Sequence, residues 1–278
     1  MKKQLWTYIV IAYSITWTLV IGIYFLYTQN SITLNQLNIY FALGSLGPFL
    51  SAIITTQLFY KKEGLKKLFT ALRPGMLNKK TLLLSCSPLL FLFIGWLLYP
   101  LLTGKWFSFD TTKEQFNLTN TASYLGWALP FIAYALFEEL GWRGFALRHL
   151  QTRYSAFKST VMLTFIWALW HAPFFLWRFD FSIVISIGFF FGIFVGAIIL
   201  TSIFNLSRGC VLATIIFHLT NNIASAFDKD YMVAVVSTGF VFLAIYLLVK
   251  YKPKNLSDGV RMKTTCNIDS THKVSEPL

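Results

Sequence analysis

Long apolar segments, separated by short polar ones, dominate this sequence. A helix needs about 20 predominantly apolar residues to cross the ~30 Å hydrocarbon layer of a membrane. Eight segments come close to that length, so the pattern predicts an all-α polytopic membrane protein with about eight transmembrane helices. The predicted spans are Leu5–Tyr27, Ile39–Tyr60, Thr81–Leu102, Ser123–Leu147, Ser159–Trp177, Ile183–Leu206, Cys210–Phe227 and Tyr231–Val249.

Composition and charge support the same class. Hydrophobic residues make up 56% of the chain and charged residues 13%, whereas a soluble domain has about 25% charged residues. The net charge of +13 could indicate a nucleic-acid partner. With both termini in the cytoplasm, however, 20 of the 24 Lys and Arg residues fall on the inner side, which is the distribution expected of a membrane protein. We therefore expect an integral plasma-membrane protein in contact with lipid, without a nucleic-acid partner.

The chain is predicted to have one membrane domain and a tail. Residues 1–250 hold all the apolar spans, and the polar motifs described below lie in a core covering residues 123–226. Residues 251–278 are polar and poor in aromatic side chains, so we expect a disordered cytoplasmic tail. No convincing internal repeat is visible, which counts against a transporter built from inverted repeats.

Two adjacent carboxylates, Glu138 and Glu139, lie inside the fourth apolar span. A charged group at that depth costs a few kcal/mol or more and usually has a function. On a helix, Glu139 and Arg143 are i,i+4 neighbours and can pair, whereas Glu138 points about 100° away. We expect a structural ion pair between Glu139 and Arg143. Glu138 is the better candidate for an acid or base.

Two further spans carry polar residues at a similar depth. His171 is followed by Pro173, which should bend the helix there. His218 and Asn222 are i,i+4 on the seventh span. At 1.5 Å per residue, Glu138, His171 and His218 all lie roughly 15–20 Å from the inner boundary. These side chains could therefore converge on one cavity.

This set of side chains suits amide hydrolysis without a covalent intermediate. A Glu and a His can deprotonate a water, and a second His with an Asn can stabilise the oxyanion. A zinc site with Glu138, His171 and His218 as candidate ligands is an alternative. The sequence lacks a His-Glu-x-x-His helix, and Asn is a poor zinc ligand. No cofactor is required by the sequence, and no metal ligand is assigned.

The motifs Glu138-Glu139-x-x-x-Arg143, His171 with an aromatic residue four positions before it, and His218-x-x-x-Asn222 together resemble the CPBP family of intramembrane proteases. That family includes the type II CAAX prenyl endopeptidases and the bacterial Abi proteins linked to bacteriocin self-immunity. The resemblance implies a core of eight helices whose site opens toward the cytosol. It also implies that Glu138 and His171 activate the water, that His218 and Asn222 form the oxyanion site, and that Glu139 and Arg143 support the geometry.

The aromatic residue before His171 is Trp167, where the family more often has Phe. We expect this difference to alter packing and to leave the chemistry unchanged. The leading hypothesis is an intramembrane endopeptidase acting on a membrane-associated, prenylated CAAX-like or other peptide or protein, in peptide maturation or bacteriocin self-immunity. A glutamate mechanism and a metalloprotease mechanism both stay open. The alternatives are a non-catalytic scaffold or immunity protein that binds a partner, and an ion-coupled transporter.

Overall fold

The apolar segments of the chain fold into α-helices. A computed structural model describes residues 2–177, 183–227 and 231–263, and these residues form twelve α-helices without a β-strand. The helices are α1 (Lys2–Thr28), α2 (Leu34–Tyr40), α3 (Leu46–Thr70), α4 (Lys79–Ser85), α5 (Ser87–Thr103), α6 (Phe109–Gln115), α7 (Thr121–Gly141), α8 (Arg148–Arg153), α9 (Ala156–Trp170), α10 (Ile183–Leu206), α11 (Val211–Ala224) and α12 (Tyr231–Asn255).

Four helical stretches in the described part of the chain are long and apolar enough to cross a membrane. They are Lys2–Thr28, Leu34–Thr70, Ser186–Leu206 and Tyr231–Asn255. A fifth crossing is possible if α4 and α5, which meet at an angle of 50°, act as one broken span. The prediction of an all-α polytopic membrane protein is confirmed. The count of eight spans and the cytoplasmic termini stay predictions. Of the four basic residues predicted on the outer side of the membrane, Arg178 and Lys229 lie beyond the described residues.

Contacts between the helices bring the motif-bearing segments together. Helix α7 packs between α3 and α11, and α11 in turn contacts α5. Helix α12 packs against α5 and α10, α10 packs against α9, and α9 also meets α1. A short π-helix, Trp142–Leu147, continues α7 into α8 and contacts both α9 and α11. The three segments that carry the sequence motifs therefore meet around the end of α7.

A glycine allows α7 to approach α3 closely at the level of the carboxylates. Gly141 follows the acidic pair, and a Cβ atom there would lie 2.6 Å from both the side chain and the carbonyl oxygen of Pro48. Such a contact is too short for any real side chain, so the approach requires glycine at this position. The resulting contact helps to bury Glu138 and Glu139, which are 2% and 0% exposed.

Helix α9 ends where the sequence predicted a bend. The predicted span ran from Ser159 to Trp177, but the α-helix stops at Trp170 and a 3-10 helix, Ala172–Leu176, follows. Pro173 has no N–H to donate and its ring would clash with the preceding turn, which explains why the α-helix does not continue. His171 is therefore the C-cap residue of a helix instead of a residue inside a kinked one.

The chain stays folded beyond the predicted start of the tail. Helix α12 is kinked at Lys252, which has φ 59° and precedes a proline, and it continues to Asn255. The structure describes residues 251–263 of the predicted tail, and polar contacts hold residues 256–263 on the domain. The Gln151 side chain donates to Met262 O at 2.9 Å, and Met262 N donates to Asn205 Oδ1 at 3.0 Å. Residues 264–278 of the predicted tail lie outside the described residues.

Candidate active site

One carboxylate oxygen of Glu139 accepts hydrogen bonds from two side chains. Its Oε1 accepts from Arg143 Nη1 at 2.7 Å, and both side chains are fully buried. The same Oε1 accepts from His218 Nδ1 at 2.9 Å. The ion pair predicted from the i,i+4 spacing is confirmed. The contact with His218 was not predicted, because it joins residues that are 79 positions apart in the chain.

Glu138 has a different environment, since two neutral indole groups hold it. Trp167 Nε1 donates to Glu138 Oε2 at 2.6 Å, and Trp142 Nε1 donates to the same oxygen at 3.2 Å. Among the described residues, no salt bridge is formed by Glu138. The sequence interpretation missed both indole donors. Trp142 lies four residues after Glu138, and that spacing was the available signal.

The imidazole of His171 is fixed by the end of α9. The backbone N–H of His171 donates to Ala168 O at 3.1 Å, three residues back, instead of to Trp167 O, four residues back. The carbonyl of Trp167 is instead 2.7 Å from His171 Nδ1. A carbonyl oxygen can only accept, so Nδ1 carries a hydrogen and, in the neutral ring, Nε2 has the free lone pair. The helix end thus gives His171 a proton-accepting nitrogen.

His218 lies close to Glu139 and to Trp167. Because the carboxylate of Glu139 accepts, His218 Nδ1 carries a hydrogen, and Nε2 can donate only when the ring is protonated. His218 also faces Trp167, the residue that bonds to both Glu138 and His171. Its ring centroid is 6.0 Å from that of Trp167. The structure therefore brings Glu138, His171 and His218 together, as the depth argument predicted.

Asn222 lies one helical turn beyond His218 and also contacts α7. Its Nδ2 donates to Phe131 O at 3.3 Å. An amide nitrogen carries two hydrogens, and this bond uses one of them. Both predicted site residues of α11 thus bond to α7, His218 through the Glu139 side chain and Asn222 through a backbone carbonyl.

The zinc alternative requires several ligands around one point. Among the described residues, no group of three or more His, Cys, Asp and Glu side chains is placed to hold a metal ion. Glu138 Oε2 already accepts two indole N–H groups, which compete with a metal for that oxygen. Both the glutamate mechanism and the metalloprotease mechanism therefore stay predictions of the sequence.

A buried carboxylate near two imidazoles and an amide, carried by three helices of a membrane protein, is a set of groups that suits amide hydrolysis. Comparisons with known proteins agree. The family model described as "Type II CAAX prenyl endopeptidase Rce1-like" matches residues 120–224, a range that contains all six predicted site residues. CAAX prenyl protease 2 of Methanococcus maripaludis is 30% identical over 226 residues, which cover 76% of this chain and 80% of that protein. The chain belongs to the CPBP family and is an intramembrane protease.

Proposed function

We propose that this protease is an endopeptidase that cleaves a membrane-associated, prenylated CAAX-like peptide or protein with a water activated by Glu138 and His171. The observation that carries the proposal is that the two adjacent carboxylates have different partners. Arg143 pairs with Glu139, whereas Glu138 is buried, accepts from two neutral indole groups and forms no salt bridge within the described part of the chain. A buried carboxylate that is not held in an ion pair suits proton transfer better than structural support.

The first step is attack by water. Glu138 accepts a proton from a water molecule, and His171 Nε2 accepts a hydrogen bond from the same water, which orients its oxygen toward the scissile carbonyl carbon. The Trp167 carbonyl sets this tautomer of His171. The oxygen of the water bonds to carbon as the carbonyl π electrons move onto the carbonyl oxygen. No covalent enzyme intermediate forms.

The second step is collapse of the tetrahedral intermediate. Protonated His218 Nε2 and the second N–H of Asn222 donate to the oxyanion. Glu139, which accepts from His218 Nδ1 at 2.9 Å, balances the charge on that ring. The C–N bond then breaks, the nitrogen takes the proton from Glu138, and the carbonyl re-forms. Arg143 keeps Glu139 in place throughout.

The prenylated substrate is supported by the family and by the setting of the site. The similar Methanococcus protein is named a CAAX prenyl protease. A prenyl chain would partition into the bilayer and bring a cytosolic peptide to a protein that lies in it. The plasma membrane is the proposed location, with the site accessible from the cytosolic side.

The test is cleavage of a prenylated CAAX reporter by protein purified from membranes. Glu138→Gln, His171→Ala and His218→Ala should each lower kcat by about 10²–10⁴-fold, as expected for loss of a general acid–base or oxyanion group. Glu63→Gln, which alters an exposed glutamate on α3, is the control and should retain wild-type activity. A reporter without the prenyl group should be cleaved less efficiently.

Four outcomes would contradict parts of the proposal. Wild-type activity in all three site variants would show that these side chains do not carry the reaction, whereas a wild-type protein that cleaves no reporter would favour the scaffold alternative. Equal cleavage with and without the prenyl group would exclude lipid recognition while leaving the protease reaction intact. Zinc content, measured in the same preparations, should be far below one ion per chain. A stoichiometric ion that is lost from Glu138→Gln and His171→Ala would instead support the metalloprotease mechanism.

A further inference from the structure

Trp167 lies against four of the five titratable groups of the candidate site: Glu138, Arg143, His171 and His218. Its indole N–H donates to Glu138 at 2.6 Å, and its backbone carbonyl accepts from His171 at 2.7 Å. Its ring lies 4.5 Å from the guanidinium carbon of Arg143 and 6.0 Å, centroid to centroid, from His218. The sequence interpretation treated this residue as a packing substitution for Phe. Phe could supply the ring contacts and the carbonyl, but it has no N–H.

We propose that Trp167 is a positioning residue of the protease: its indole N–H, together with that of Trp142, fixes one oxygen of Glu138 and presents the other oxygen to the substrate water. The inference rests on the proposed role of Glu138 as the acceptor of the water proton.

The geometry of the two donors explains why this arrangement would help. Both indole nitrogens contact Oε2, so the plane of the carboxylate is fixed while Oε1 stays available for water. Neutral donors orient the carboxylate without cancelling its charge, whereas a Lys or Arg in the same place would hold it as an ion pair and weaken it as a base. The donors come from different segments, Trp142 from the π-helix and Trp167 from α9, and Trp167 also bonds to His171 through its carbonyl.

A hydrogen bond to a charged acceptor in a buried site is strong enough that its loss should change kcat measurably. We expect Trp167→Phe to lower kcat by about 10- to 100-fold. KM should stay within about threefold, because the indole N–H is directed at Glu138 and not at the substrate. A residue with a purely structural role would lower the amount of folded protein without this separation of kcat from KM.

Phe is smaller than Trp, so a second variant separates the N–H from the volume. Replacing Trp167 by β-(3-benzothienyl)alanine, in which sulfur takes the place of the indole N–H, keeps the shape and removes the donor. Tyr134→Phe is the matched control. Tyr134 lies one turn before Glu138 on α7, and its hydroxyl donates to Phe41 O at 2.7 Å. Loss of this donor should lower the stability and leave kcat at the wild-type value.

The measurements are kcat and KM on the prenylated CAAX reporter and thermal unfolding of the same preparations. Equal losses of kcat in the Phe and benzothienyl variants, with normal KM, would support the inference. Wild-type kcat in the benzothienyl variant would overturn it, and if Glu138→Gln is inactive in the same assay, the proposed function survives. An active Glu138→Gln protein would overturn the proposed function and this inference together.

Discussion

Removing the guanidinium of Arg143 should destabilise the protein strongly. Arg143→Met keeps the length of the side chain and deletes the charge that pairs with Glu139 at 2.7 Å. Both side chains are 0% exposed, so water cannot replace the lost partner. Breaking one side of a buried pair costs about 3–5 kcal/mol, because the remaining charge is left uncompensated. His218 still donates to Glu139, so we expect the lower end, about 3 kcal/mol.

The assay is thermal unfolding in detergent, where a loss of this size corresponds to a decrease of roughly 10 °C. The double variant Glu139→Gln/Arg143→Met carries no unpaired charge and should recover more than half of that decrease. Lys113→Met is the control. It breaks an exposed ion pair with Asp110 at 3.1 Å and should leave the unfolding temperature unchanged.

The reasoning would be refuted by an Arg143→Met protein that unfolds at the wild-type temperature. It would also be refuted if the double variant were less stable than Arg143→Met, since a neutral pair would then cost more than an unpaired charge. Either result would mean that Glu139 does not depend on Arg143 for its place in the membrane domain.

Two further predictions concern the surface and the helix contacts. The hydrogen bond from Lys80 lowers the pKa of Asp258, so this group stabilises the fold above its unfolded pKa and loses that contribution as the pH falls through its folded value. The unfolding temperatures of wild type and Asp258→Asn should therefore differ slightly at pH 7 and converge as the pH falls through the folded pKa of Asp258; a difference that persists in strong acid would contradict this. Gly141→Ala should cost about 1–3 kcal/mol by overpacking against Pro48, seen as earlier thermal unfolding, whereas unchanged unfolding would mean that α7 and α3 can separate freely.

The sequence was informative wherever a local spacing determined a contact. The i,i+4 spacing of Glu139 and Arg143 predicted their ion pair. The depth of three motifs in three apolar segments predicted that Glu138, His171 and His218 would meet, as their shared contacts with Trp167 indicate. Such inferences need only the helical repeat and the positions of the apolar segments. The class of fold followed for the same reason.

Contacts between distant segments could not be read in this way. Nothing local indicates that His218 would bond to Glu139 instead of acting only with Asn222. A tryptophan in an apolar span is also expected to be a core residue, and only the packing of α9 on the π-helix directs the Trp167 N–H at Glu138. The end of α9 was misplaced because Pro173 either bends or stops a helix, and the surrounding structure decides which.

The π-helix between Trp142 and Leu147 separates two parts of one long helical run. A π-turn takes up more residues than an α-turn, which is the mark of a residue inserted into a regular helix. Loss of one residue here would rotate everything after it by about 100° and shift it by about 1.5 Å relative to α7. The acidic pair would keep its place against α3, while Gln151 would turn away from Asn205 and release the C-terminal segment. The extra residue of the π-helix thus aligns both the candidate active site and the contacts that hold residues 256–263. Insertions and deletions should therefore be tolerated far less here than substitutions.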